Sequence, residues 1–114
     1  MNIPDKVRIG GVDYRVSIEP YVRGGDRILY GDINYNANVI RISDTDTPGH
    51  QKRCIVLWHE ILHGIAEHAH ADLSAATEEE AINVLAKGVY QVLQDNPQLF
   101  ERIYEPGQAA NTTL

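Results

Sequence analysis

The run Cys54-Ile55-Val56-Leu57-Trp58-His59-Glu60-Ile61-Leu62-His63-Gly64-Ile65-Ala66 constrains this chain more than any other stretch. It reads as a central helix, apolar on most sides through Gly64, packed against both a sheet and a second helix. Inside it stands His59-Glu60-Ile61-Leu62-His63, an H-E-x-x-H pattern. One helical turn separates the two histidines, so both imidazoles project from one face and reach a single metal ion. Glu60, beside the first, reaches a water bound to that ion. A buried helix has little reason to carry two His and a Glu unless they are paired or liganded, because unsatisfied buried polar groups cost several kcal/mol each. The pattern therefore predicts a zinc-hydrolase arrangement, against the plainer alternative of a structural histidine pair.

A chain of 114 residues makes one domain, large enough to fold without disulfides. We expect that domain over residues 1–105, with a polar tail over 106–114. Hydrophobic content of 43% and charged content of 23% argue against a disordered or fibrous class. The formal charge of −6 disfavours direct nucleic-acid binding, which depends on Lys and Arg neutralising phosphates. No stretch reads as membrane-spanning. The start Met1-Asn2-Ile3-Pro4-Asp5-Lys6 lacks the apolar run of a secretory signal, so the cytoplasm is the expected location. Cys54 is the single cysteine and reads as a buried thiol in a reducing compartment.

Upstream of the helix the period is two. Val7, Ile9, Val12, Tyr14, Val16 and Ile18 alternate on either side of Gly10-Gly11, which predicts a hairpin with a glycine turn. Arg23-Gly24-Gly25-Asp26 reads as a flexible connection. A second hairpin is expected from residues 28–35 and 39–43 around Asn36-Ala37-Asn38, whose asparagines tolerate left-handed backbone. Thr47 is the expected N-cap and Pro48 the first residue of the central helix, which should run to about Ala69. Thr77 with Glu80 three positions on signals a capping box for a second helix, with the stripe Ile82, Leu85, Ala86, Val89, Val92 and Leu93. Asp95-Asn96-Pro97 stops it, and residues 98–104 read as a further short helical turn. The fold class expected is α+β: a small antiparallel sheet of two hairpins on the central helix and a second, glutamate-bearing helix.

A catalytic zinc site takes three protein ligands and leaves one position open, so His59 and His63 need a partner. Ala66 and Ala69 stand where the metzincin pattern requires Gly and His. His68 and His70 point away from the metal face if the helix continues straight. The second helix is the better source: at 100° per residue Glu78 and Glu79 bracket its apolar stripe, while Glu80 projects away and serves the cap. Glu79 is the expected third ligand and Glu78 the alternative.

Trp58-His59-Glu60-Ile61-Leu62-His63-Gly64, followed by Glu79-Glu80-Ala81-Ile82-Asn83-Val84-Leu85-Ala86, resembles the ImmA/IrrE-type metallopeptidases and their phage-encoded relatives, within the gluzincin class. Residues 30–35 and 39–42 resemble that family's strand pair before the active helix. The resemblance implies a minimal zincin-like fold, Zn²⁺ held by His59, His63 and Glu79, and Glu60 as the catalytic carboxylate. It implies hydrolysis of a protein or peptide substrate, since some relatives cleave transcriptional repressors. The alternative is a zinc-containing but inactive binding or adaptor protein of phage origin. An oxyanion donor is expected among Tyr35, Tyr90 and His68, and the substrate is expected along residues 39–43 as an added strand.

Overall fold

The computed structural model of the chain describes residues 1–45 and 49–100. In chain order these form β1 (Lys6–Ile9), β2 (Val12–Glu19), β3 (Val22–Gly24), β4 (Arg27–Leu29), β5 (Gly31–Asn34), β6 (Val39–Ser43), α1 (His50–His68), α2 (Glu78–Asp95) and a 3₁₀ turn (Pro97–Phe100). The class is α+β. No described helix is long and apolar enough to cross a membrane.

Both expected hairpins form, the second with a shorter first strand: β5 starts at Gly31, and Ile28 and Leu29 pair instead with β3 as part of β4. Gly10 and Gly11 turn β1 into β2 at φ of 57° and 87°, the paired positive values that a two-residue turn of this hand demands. Asn38 takes φ of 55° in the second turn. The hairpins do not, however, make an antiparallel sheet. They join through a parallel pair of β2 with β6, in register from Arg15 opposite Val39 to Glu19 opposite Ser43, giving a mixed sheet of order β1-β2-β6-β5. Alternation marks which side chains share a face but not which strand lies alongside, so the pattern was silent on this pairing. Residues 23–26 also differ from expectation. Arg23 and Gly24 belong to β3, and Gly25 and Asp26 turn it into β4 in a separate two-stranded hairpin, with Gly25 at φ of 62°.

One consequence reaches the site. β6 is an interior strand between β2 and β5, so residues 39–43 offer no free edge. The edges belong to β1 and to β5, and β5, which pairs only with β6 among the described strands, is the one that passes beside Glu60.

α1 lies across the sheet, and its buried residues Leu57, Ile61 and Ile65 meet Val7, Ile9, Tyr14, Ile40 and Ile42 in one core. Each such aliphatic side chain, taken fully out of water, contributes about 1.5–3 kcal/mol. Gly64 sets the closeness of the layers, because a β-carbon there would stand 2.9 Å from Cδ1 of Ile9 and 3.2 Å from Cδ1 of Ile33. α1 starts at His50 with Gly49 as its cap and ends at His68; Thr47 and Pro48 lie outside the described residues.

α2 begins on the expected capping box. Thr77 Oγ1 accepts from the Glu80 amide, and Glu80 Oε2 accepts from the Thr77 amide, both at 3.2 Å. The helix packs on α1 where Gly88 faces Ile65, so closely that a β-carbon on Gly88 would fall 2.1 Å from Cγ2 of Ile65. At its far end the buried Asn96 accepts from the Arg8 amide at 2.8 Å and donates to the carbonyls of Arg8 and Val92 at 2.9 and 2.8 Å. The 3₁₀ turn follows at Pro97, one residue ahead of the expected turn; residues 101–104 and the tail lie outside the described residues.

Candidate metal and catalytic site

The helical spacing of His59 and His63 brings their rings edge to face, centroids 4.8 Å apart, on the exposed side of α1. Their Nε2 atoms are 3.2 Å from one another. Two imidazole nitrogens each about 2.0–2.1 Å from a tetrahedral ion stand about 3.3–3.4 Å apart, so the pair fits two adjacent positions of such an ion.

Glu60 lies between them in sequence and turns the other way, toward the sheet. It is 6% exposed and makes no hydrogen bond or ion pair among the described residues. Burial pushes its carboxyl above the ordinary carboxylate range; His59 and His63 pull it back, and the nearby Asp32 pushes it up again. Asp32 is itself held by Arg41, directly opposite it on β6, whose Nε donates to Oδ1 at 2.9 Å while a second nitrogen pairs with Oδ2. Glu60 lines one cleft with His59 and has no hydrogen-bond partner among the described residues, so its carboxyl oxygens meet solvent there; a carboxyl so placed can take up and release a proton.

The cleft exists because β5 crosses close to α1. Gly31 allows it: a β-carbon there would stand 2.7 Å from Cγ1 of Val56 and 3.7 Å from Oε2 of Glu60. Two concavities flank His59, which borders both. One, of about 480 Å³, also takes in Tyr35, His63, Glu67 and Asp72. The other, of about 670 Å³, takes in Glu60, Tyr30, Lys52 and Ile55.

Of the expected phenol and imidazole donors, Tyr35 alone borders the histidine concavity. Burial raises its pKa, with the negative charges of Glu67, Tyr14 and Glu60 adding to the effect, so its hydroxyl keeps its proton as a donor. Tyr90 is 67% exposed on α2. His68 is engaged elsewhere: its Nε2 lies 2.8 Å from the buried Tyr14 hydroxyl, under Gly10. His70 takes a left-handed backbone at the end of α1.

Glu78, Glu79 and Glu80 are all exposed in the first turn of α2. Among the described residues no three His, Cys, Asp or Glu side chains stand together as a metal group, so Glu79 does not join the histidine pair in this structure. The packing of the helices accounts for this. Glu79 precedes the Gly88–Ile65 contact by nine residues, about 13 Å of helix rise, whereas His63 is only two residues from Ile65. The carboxylates that do border the histidine concavity are Glu67, one turn beyond His63, and Asp72, which accepts from the Ser74 amide at 3.0 Å and from its hydroxyl at 2.5 Å. Glu67 was legible in principle, since it lies on the same helical face as His59 and His63. Comparison with protein families, with curated proteins and with solved structures gives no match for this chain.

Proposed function

We propose that this chain is a zinc-dependent peptidase of the ImmA/IrrE-like, gluzincin type, hydrolysing a peptide bond in a protein substrate, with a repressor-type regulator as the kind of substrate the resemblance suggests. The observation that carries the reading is the 3.2 Å separation of the His59 and His63 Nε2 atoms, with Glu60 lining the cleft beside His59 and making no hydrogen bond among the described residues. His59 and His63 hold the metal; Glu79, which stands apart from them in this structure, is the third donor assigned from the sequence and reaches the ion through a shift of the start of α2 on metal binding. The chemistry the metal supplies when bound is polarisation of a carbonyl, together with a water acidic enough to ionise near pH 7.

The chain's own groups do the rest. Glu60 takes up the proton of the attacking water on its carboxylate and returns it to the leaving amine, a transfer for which its raised affinity for protons is suited. Tyr35 offers a phenolic hydroxyl to the oxygen that gains charge. An extended substrate segment hydrogen-bonds along the unpaired edge of β5, which passes beside Glu60.

The test is metal content and hydrolysis measured together. Wild-type protein should carry one equivalent of zinc and cleave an unstructured protein; Glu60→Gln should retain the zinc and lose cleavage. His59→Ala should lose both. Full hydrolysis by Glu60→Gln, or wild-type protein that binds no zinc, would overturn the reading.

A further inference from the structure

The two concavities beside His59 differ in charge as well as in shape. On the His63 side the charged groups are Glu67 and Asp72. On the Glu60 side the charged groups are Glu60 itself at the inner wall and Lys52, whose Nζ sits 4.8 Å from the centre of the Tyr30 ring. Lys52 forms no ion pair among the described residues, on a chain whose net charge is −6.

The larger groove also has an apolar rim. Ile55 is 70% exposed and Tyr30 58% exposed, and both stand at its mouth with Leu29 and Val56 in its wall. A large apolar side chain left in water at a cleft, rather than scattered over the surface, marks a contact surface. A volume of about 670 Å³ exceeds what one side chain fills, leaving room for its neighbour beside Lys52.

We propose that this groove selects the substrate: it takes a bulky apolar side chain of an extended peptide, with an acidic residue next to it on Lys52, while a basic residue further along the peptide falls between Glu67 and Asp72. This rests on the peptidase reading for its use in catalysis, and it is measurable without catalysis. The complementarity is steric for the apolar anchor and electrostatic for its neighbours. The anchor supplies affinity by desolvation, and the charges set which way round the segment lies.

The experiment uses zinc-loaded Glu60→Gln protein and fluorescein-labelled peptides with blocked termini, followed by anisotropy. Each peptide carries a Phe, with Glu beside it and Lys a few alanines away, made in both chain directions; the controls exchange Glu and Lys or replace Phe by Ala. The better direction of the Glu-beside-Phe peptide should bind about tenfold more tightly than its charge-exchanged control, and Lys52→Glu should reverse that order. Ile55→Ser should weaken the Phe peptide about fivefold and leave the charge order intact. Both substitutions fall on exposed side chains, so the fold is kept. Equal binding of all peptides, no binding at all, or a charge order that Lys52→Glu does not move would each overturn the proposal. Selective binding by Glu60→Gln without cleavage by wild-type protein would uphold this inference and overturn the peptidase. Cleavage without charge preference would do the reverse.

Discussion

Gly31 and Val56 approach so closely that the missing β-carbon of the glycine would stand 2.7 Å from Cγ1 of the valine, and equally close to the Arg41 carbonyl oxygen. This contact lays the sheet edge over Glu60. Gly31→Ala meets a backbone oxygen on one side and a β-branched side chain on the other, neither of which rotates away. The expected cost is about 1–3 kcal/mol, the range for overpacking a well-filled site, read as a lower midpoint in urea with unchanged slope. An alanine variant as stable as wild type would mean that β5 and α1 separate freely.

The metal donors are ranked by zinc affinity. His59→Ala and His63→Ala should each weaken binding at least about a hundredfold, and Glu79→Ala about tenfold or more. Glu67→Ala and Glu78→Ala should leave it near wild type. A loss on Glu67→Ala with none on Glu79→Ala would transfer the third donor to α1, one turn past His63.

His70 is a substitution site for added stability. It occupies the left-handed position after α1, with its amide donating to the Glu67 carbonyl at 3.1 Å and the Ala71 amide to the Ala66 carbonyl at 3.0 Å. A side chain there costs about 1–2 kcal/mol. Glycine removes that cost but loses about 0.5–1 kcal/mol through the freedom of the unfolded chain. The first term is larger, so His70→Gly should raise the melting temperature by about 2–5 °C, measured by calorimetry. A lower melting temperature would show that the imidazole makes a stabilising contact.

Cys54, expected as a buried thiol, is half-buried, and should respond to pH as a partly desolvated one. Burial raises its pKa, and the positive N-terminus beside it opposes the shift without cancelling it. The thiolate is therefore disfavoured in the folded state. Iodoacetamide should label the native protein slowly at neutral pH, with the rate rising only above the ordinary thiol range. The linked stability is present in full below the ordinary thiol pKa and is lost as pH rises through the folded value, so Cys54→Ala should flatten the alkaline fall in stability. Labelling at the rate of a free thiol at pH 7 would contradict the partial desolvation.

What lies within a few residues was readable without the fold. The histidine pair, the Gly10-Gly11 turn, the Thr77–Glu80 cap and the end of α1 depend on local backbone geometry, and the sequence by itself determined them. The α+β class followed from the change of hydrophobic period between residues 6–43 and the helices. The structure decided what depends on distance along an axis or on the choice of neighbour. A helical wheel gives Glu79 its angle, but the Gly88–Ile65 contact sets how far along α1 it falls. Alternating residues give β6 an inner face, but only the pairing with β2 makes it an interior strand and leaves the edge to β5. Asn96, which reads in sequence as a helix stop, became the clip between α2 and β1 because its amide meets the backbone of Arg8, 88 positions away. Tyr35 came to border His59 and His63 for the same reason: a turn residue has no periodicity, and only the crossing of the β5–β6 hairpin over α1 brought it there.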